Sequence, residues 1–272
     1  MSEFQSKYSA KQTDANGYAN YSAAENRVWQ ELYERQINIV QNRACSEYLG
    51  GLQLLNLNAQ SIPQVPDINA ALKAITGWQV SPVQALIAHE EFFNLLANRQ
   101  FPAATFIRHH EELDYVQEPD IFHEIFGHCP MLTEPHFAEF IAAYGELVLK
   151  FPEKDLPLLQ RLFWFTVEFG LINSPEGLRT YGGGILSSKE ETIYCIESDK
   201  PQRLAFNPLD ALRTPYRIDI LQPVYFVIDS FEQLYDFIKS DIAAALEQAR
   251  ALGEYAPRFP VEDSPAIHIH HC

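Results

Sequence analysis

The stretch Pro119-Asp120-Ile121-Phe122-His123-Glu124-Ile125-Phe126-Gly127-His128-Cys129-Pro130 governs how the rest of the chain is read. Two of the nine histidines and an adjacent carboxylate share six residues. Phe122, Ile125 and Phe126 draw the segment toward a core, and a buried imidazole or carboxylate is costly unless a hydrogen-bond partner or a metal compensates it. The zinc-protease pattern sets its histidines four apart, about 40° around a helix at ~100° per residue. His123 and His128 are five apart, about 140° on an ideal helix. They converge only if the helix ends or distorts between them, and Gly127 with Pro130 supplies such a break. The alternative is a pair of core histidines bonded to backbone carbonyls.

A third ligand is sought on another helix. Glu168 is the sole charge in Leu162-Phe163-Trp164-Phe165-Thr166-Val167-Glu168-Phe169-Gly170. It could equally be a core carboxylate paired with an arginine, or a polar residue facing out of an amphipathic helix. Two histidines and one carboxylate with open positions make the facial triad of non-haem Fe(II) oxygen-activating enzymes.

Outward from these segments, helical punctuation dominates. Ser22 with Glu25 is a capping-box pattern, and Val28, Trp29, Leu32, Tyr33, Gln36, Ile37 and Val40 repeat at helical spacing toward Gly50-Gly51. Similar start signals stand at Ser81-Pro82-Val83-Gln84, at Ser188 with Glu191 and at Ser230 with Gln233. Residues 67–77, 134–149 and 155–170 complete at least seven predicted helices. Strand signals are short: Thr105-Phe106-Ile107 and Val224-Tyr225-Phe226-Val227-Ile228. The expectation is a mainly α fold with a small β-sheet, forming a single catalytic domain over 21–252. An N-terminal polar extension (1–20) and a C-terminal extension (253–272) flank it. The latter ends in His268, His270, His271 and Cys272, which could scavenge Zn(II) or Ni(II) but fit a disordered tail better.

The chain has 272 residues, with 20 Lys plus Arg against 36 Asp plus Glu, a formal charge of −16 and a pI near 4.9. So acidic a surface disfavours nucleic acid and anionic membranes. No window approaches eighteen apolar residues and no basic-then-apolar leader opens the chain. Cys45, Cys129, Cys195 and Cys272 are scattered, without a C-x-x-C pair, as in reduced cytoplasmic proteins. Cys129 reads as a packed thiol, and Gly182-Gly183-Gly184, lacking a following Lys-Ser or Lys-Thr, as a flexible turn.

Taken together, His123-Glu124-x-x-Gly127-His128, then Trp164-Phe165-Thr166-Val167-Glu168-Phe169-Gly170, then Tyr181-Gly182-x-Gly184-x-Leu186-Ser187-Ser188, resemble the pterin-dependent aromatic amino acid hydroxylases. The likeness runs from about Glu25 to Lys239. It includes Ala44-Cys45-x-Glu47-Tyr48, Pro82-Val83, Ile107-Arg108-His109 and Gln222-Pro223. The resemblance implies Fe(II) held by His123, His128 and Glu168, with Glu124 as the carboxylate facing a tetrahydropterin. It places the pterin along Val83, Ala85, Leu86 and Ile87, stacked on Phe92 with Phe163 nearby. Arg108 would clamp the substrate carboxylate, Pro119, Trp164 and Phe169 would form an apolar slot, Ser187 would also contact substrate, and Asp120 and Ser187 would support from behind.

Trp164 stands where the family's tryptophan enzymes carry Phe, and Ile218 where its tyrosine enzymes carry Asp, so the implied reaction is hydroxylation of L-phenylalanine to L-tyrosine with O2. Alternatives are the same chemistry on tryptophan or tyrosine, a zinc hydrolase using His123, Glu124 and His128, or a non-catalytic binder of amino acid or pterin. Phe163, Val116 and Ala85 depart from the animal pattern of Tyr, Thr and Gly. With room for neither regulatory domain nor tetramerising helix, the chain resembles the short bacterial form, expected as monomer or homodimer.

Overall fold

The computed structural model describes residues 7–84 and 87–260. Ala85 and Leu86 of the expected pterin segment, and His268, His270, His271 and Cys272, lie outside the described residues. Helix α1 (Ala23–Val40) begins where the capping box places it: the Ser22 hydroxyl accepts from the Glu25 N–H at 3.2 Å and the Glu25 carboxylate accepts from the Ser22 N–H at 2.8 Å. Its inner face is Val28, Trp29, Leu32, Gln36 and Val40. The helix stops at Val40 rather than running to Gly50-Gly51, because the chain turns at Asn42, whose φ is 62°. A second helix, α2 (Ser46–Leu54), takes over and contains both glycines.

Helix α3 (Val65–Ile75) matches the predicted one within two residues. The start signal at Ser81-Pro82 does not open a helix. Strand β1 (Gln79–Val83) runs there, and α4 (His89–Ala97) begins only after it. Strand β2 (Gln100–Ala104) pairs in parallel with β1, and the chain leaves the sheet just before the predicted strand Thr105–Ile107. With β1 finished at Val83 nothing remains for those residues to pair with. The Thr105 hydroxyl instead accepts the Lys11 N–H at 2.8 Å, and its carbonyl accepts the Tyr21 hydroxyl at 2.8 Å. Residues 7–21 therefore run along the body, with Tyr8 stacked on Phe106 at 4.1 Å.

Helices α5 (Pro135–Val148) and α6 (Leu156–Phe163) follow, each with Pro in its opening turn. Next come β3 (Leu171–Ser174), β4 (Gly177–Thr180), α7 (Gly183–Leu186), α8 (Lys189–Glu197), β5 (Gln202–Ala205), α9 (Pro208–Arg213), β6 (Val224–Ile228), α10 (Phe231–Ile238) and α11 (Ile242–Leu252). Four strands form a mixed sheet in the order β4-β3-β6-β5, and its inner strand β6 is buried along its whole length, as an apolar run requires. Among the described residues the fold is mainly α with two small sheets instead of one. Among the described residues no helix is long and apolar enough to cross a membrane.

Helix α2 packs closely against the segment that carries His123 and His128 and the turn after it. Its Gly51 lies so close to the short turn Cys129–Thr133 that a Cβ would meet the Pro130 carbonyl oxygen at 2.2 Å. Tyr48 on the same helix donates to the Phe126 carbonyl at 2.8 Å. Gly51→Ala must push α2 off that turn and is expected to cost about 1–3 kcal/mol, read as a lower urea midpoint at constant slope; an unchanged midpoint would contradict the contact.

Candidate active site

His123 and His128 lie on a π-helical segment, Phe122–His128. Cys129 N–H donates to the Glu124 carbonyl five residues back, the wider turn that defines such a segment. Five residues then make a little more than one turn, so both imidazoles reach the same side. The histidine Nε2 atoms are 3.0 Å apart. The distortion thus comes from a widened turn and not from a helix end. Gly127 serves close packing, since a Cβ there would meet the Gly183 carbonyl oxygen at 2.6 Å.

Glu168 arrives in the same way, at the end of a second π-helical segment (Trp164–Glu168) that continues α6, with Phe169 N–H donating to the Trp164 carbonyl at 2.8 Å. Its carboxylate is 3.2 Å from His128 Nε2 and 3.8 Å from His123 Nε2. Among the described residues, these three form the one group of His, Cys, Asp and Glu able to share an ion, with donor atoms within 4.8 Å of each other. Cys129 is buried beside them but lies outside the group.

Ser187 orients the first imidazole. Its hydroxyl donates to the Gly183 carbonyl at 2.9 Å, so its lone pair is left to accept from His123 Nδ1–H, also at 2.9 Å. That assigns the proton to Nδ1 and leaves the Nε2 lone pair aimed at the group. Burial, with help from His128, holds the His123 pKa down to about 4, so the ring is neutral at physiological pH. For Glu168, burial pushes the carboxyl up, but His128, His123 and the Gly184 N–H outweigh it and hold it below the usual range. Burial, then Glu168 and Asp120, push Glu124 well above the usual range. Two imidazoles and a carboxylate within reach of one another are a donor set for a divalent ion.

Gly182-Gly183-Gly184, expected as a flexible turn, is the packed start of α7. A Cβ on Gly183 would meet the His128 ring at 2.3 Å, and one on Gly184 would meet the Glu168 carboxylate at 2.9 Å. The glycines make room for the ligands.

On the other flank, Arg108 is only 6% exposed and Asp120 is fully buried. Asp120 accepts from Arg108 Nε and Nη2, each at 2.8 Å, and from the Arg108 backbone N–H at 2.9 Å. Its other commitment is to the His123 backbone N–H at 3.1 Å. Arg108 is therefore no surface arginine. Asp120 holds one edge of its fork, and Nη1 on the other edge makes only a long 3.5 Å bond to the Leu113 carbonyl. The Trp164 ring stacks on Phe169 at 4.3 Å and on Tyr216 at 4.3 Å, with Pro119 half-buried. On the expected pterin side, Phe92 on α4 meets Phe163 edge-on at 5.7 Å, with Val83 and Ile87 half-buried.

The sequence reading placed none of Tyr216, Gln222 and Glu191 at the site, although Glu191 entered it as a helix-start signal with Ser188 and Gln222 as part of Gln222-Pro223 in the family likeness. The Gln222 side-chain oxygen accepts the Trp164 indole N–H at 3.2 Å, while its amide closes the loop onto the carbonyls of Arg217 (2.7 Å) and Ile220 (2.9 Å). Glu191, buried on α8, accepts from the Gln222 N–H at 3.0 Å and from the Tyr225 hydroxyl. A lone amide before an apolar strand was the available signal for Gln222; Glu191 was marked only as a capping partner of Ser188, and nothing local marked Tyr216.

With this geometry in place, the comparisons identify the class. The model of the biopterin-dependent aromatic amino acid hydroxylases matches residues 2–255, and the chain belongs to that family. A phenylalanine-4-hydroxylase of Pseudomonas aeruginosa is 54% identical, covering 93% of this chain and 97% of its own. Phenylalanine hydroxylase from Legionella pneumophila superposes with a TM-score of 0.91 at 62% identity, covering 92% of this chain and all of that one. The enzyme of Chromobacterium violaceum with bound oxidised Fe(III) superposes at 0.85 with 44% identity, covering 93% of this chain and 94% of that one.

Glu191 makes the protein's stability fall as pH rises. Burial lifts its pKa from 4.5 to about 7, so between those values the folded state holds a proton that the unfolded state has released. The contribution, on the order of 3 kcal/mol, is present below pH 4.5 and lost as pH climbs through 7. Glu191→Gln should flatten the decline in melting temperature between pH 5 and about 8; an unaltered slope would remove Glu191 as its source.

Proposed function

We propose that this chain is a phenylalanine 4-monooxygenase, converting L-phenylalanine to L-tyrosine with O2, non-haem Fe(II) and a tetrahydropterin. The observation that carries the reading is the convergence of His123, His128 and Glu168 next to a stacked aromatic wall and a half-committed arginine. The donor set fits iron: one imidazole has its tautomer held by Ser187, the second is confined by Gly183, and the carboxylate is kept ionised. His123, His128 and Glu168 would hold the ion. Bound there, iron would supply O2 activation with the tetrahydropterin as two-electron donor, one oxygen atom going to the aromatic ring and the other to the pterin.

The chain's own residues do the placing. The outer edge of the Arg108 fork takes the substrate α-carboxylate, Nη1 giving up its long bond to Leu113, and the Trp164 and Phe169 rings favour an amino acid with a flat side chain. Pro119 closes the slot, whose apolar rings exclude water. Val83, Ile87, Phe92 and Phe163, with the neighbouring Ala85 and Leu86, receive the pterin, and Glu124 is the polar group that meets it. Asp120 and Ser187 hold Arg108 and His123 in register. Buried, unpaired Cys45, Cys129 and Cys195 support a reducing, cytoplasmic setting, with the protein acting as monomer or homodimer.

Glu168→Gln keeps size and hydrogen bonding but removes the ligand charge. Iron content should fall below stoichiometric and tyrosine formation by at least about 100-fold, with the circular dichroism spectrum unchanged; full iron content and near-normal turnover would remove Glu168 from the ligand set. Arg108→Lys loses the planar fork. It should raise the KM for phenylalanine about tenfold or more while iron content holds, and an effect confined to the KM of the pterin would reassign the arginine.

A further inference from the structure

Helix α11 ends at Leu252, and Gly253, with φ of 71°, turns the chain back over the body. The segment that follows grips two neighbouring elements. The Tyr255 N–H donates to the Arg213 carbonyl at 2.9 Å and its hydroxyl donates to Asp210 at 2.6 Å. Arg213 in turn donates to the Gly253 carbonyl at 2.7 Å and to the Tyr255 oxygen at 3.0 Å, and its guanidinium carbon sits 4.0 Å from the centre of the Tyr255 ring. Further along, Arg217 donates to the Pro260 carbonyl at 3.3 Å and lies 5.8 Å from the Phe259 ring centre. Glu254 pairs with Arg161 of α6, whose other terminal nitrogen donates to the Leu212 carbonyl at 3.1 Å.

These anchors bracket the aromatic wall. Tyr216 lies between Arg213 and Arg217, and its ring is within 14° of parallel to Trp164. Trp164 itself follows Arg161 by three residues on the same helical run. Residues 214–223 have no strand or helix of their own to hold them, and Ile218 and Leu221 are exposed. Their inner side is tied by Gln222, and their outer side by residues 253–260.

We propose that Gly253–Pro260 is a positioning strap for the Trp164–Tyr216 wall, with Tyr255 as its key residue, and that it sets the affinity for the aromatic amino acid. The proposal rests on the reading of that wall as the substrate slot. Most of the strap is exposed and Tyr255 is only half-buried, so little core burial depends on it. What it supplies is preorganisation of a surface loop, which acts on binding more than on stability.

The test uses the full chain carrying Tyr255→Ala, with Tyr255→Phe as the conservative variant that keeps the ring under Arg213 but loses the bond to Asp210. For Tyr255→Ala the KM for phenylalanine should rise about fivefold, as should the Kd measured by calorimetry without pterin. The kcat, the KM for tetrahydropterin and the iron content should stay within about twofold of the wild-type values. Trp164 emission, obtained by difference from a Trp164→Phe background, should shift to the red even without substrate. Tyr255→Phe should recover most of both effects. Unchanged phenylalanine affinity with unchanged Trp164 emission overturns the strap, as does a uniform loss of iron, pterin and phenylalanine binding with a lowered melting temperature. If the wild-type chain itself takes up no phenylalanine, the slot reading fails while Trp164 emission still decides the strap.

Discussion

One buried carboxylate holds the two flanks of the site in a single frame. Asp120 is surrounded by protein and would be untenable there alone, yet it accepts two bonds from the Arg108 guanidinium, one from the Arg108 backbone and one from the His123 backbone. Breaking such a pair by removing one partner leaves an uncompensated buried charge, which costs about 3–5 kcal/mol. The constraint is therefore stiff. It fixes the spacing between the residue poised for a carboxylate and the helix that carries the first imidazole, and leaves Arg108 Nη1 with only a long bond to the Leu113 carbonyl.

From that anchor the metal-ligand group is assembled by widened helical turns and by missing side chains. Both segments that carry candidate ligands are π-helical, an arrangement that forgoes ideal geometry and persists only where packing enforces it. The enforcing surfaces are backbone: Gly183 and Gly184 press α7 against His128 and Glu168, and Gly51 presses α2 against the turn beyond His128. None of these three glycines has a positive φ, so each is needed for the space it leaves rather than for a turn.

Behind the aromatic wall a second polar assembly does related work. Glu191, Gln222 and Tyr225 form a buried chain that ends on the Trp164 indole, and its members come from a helix, a loop and a strand. The wall is thus tied on its inner side by hydrogen bonds between distant parts of the chain, and on its outer side by the residues after α11. Ligand and wall residues share the run from α6 into the second π-helical segment, which Trp164 opens and Glu168 closes.

The sequence by itself determined the residue types and most of the helices. The Ser22 and Ser188 caps, the period of α1 and the all-apolar run of β6 are local signals, set by backbone hydrogen bonding and by which face must be buried. The clustering of His123, Glu124 and His128, and the isolation of Glu168 among apolar residues, were equally legible, because a costly polar group in an apolar run needs a reason. Only the tertiary structure decided the rest. That β1 is a strand depended on β2 lying beside it, and that Thr105–Ile107 is not a strand depended on β1 ending at Val83. The π-helical register, the role of Gly183 as clearance for His128, and the contacts of Tyr216, Gln222, Glu191 and Tyr255 all join residues remote in sequence. Their energies come from backbone approach and from hydrogen bonds across the fold, which leave no periodic mark on the chain.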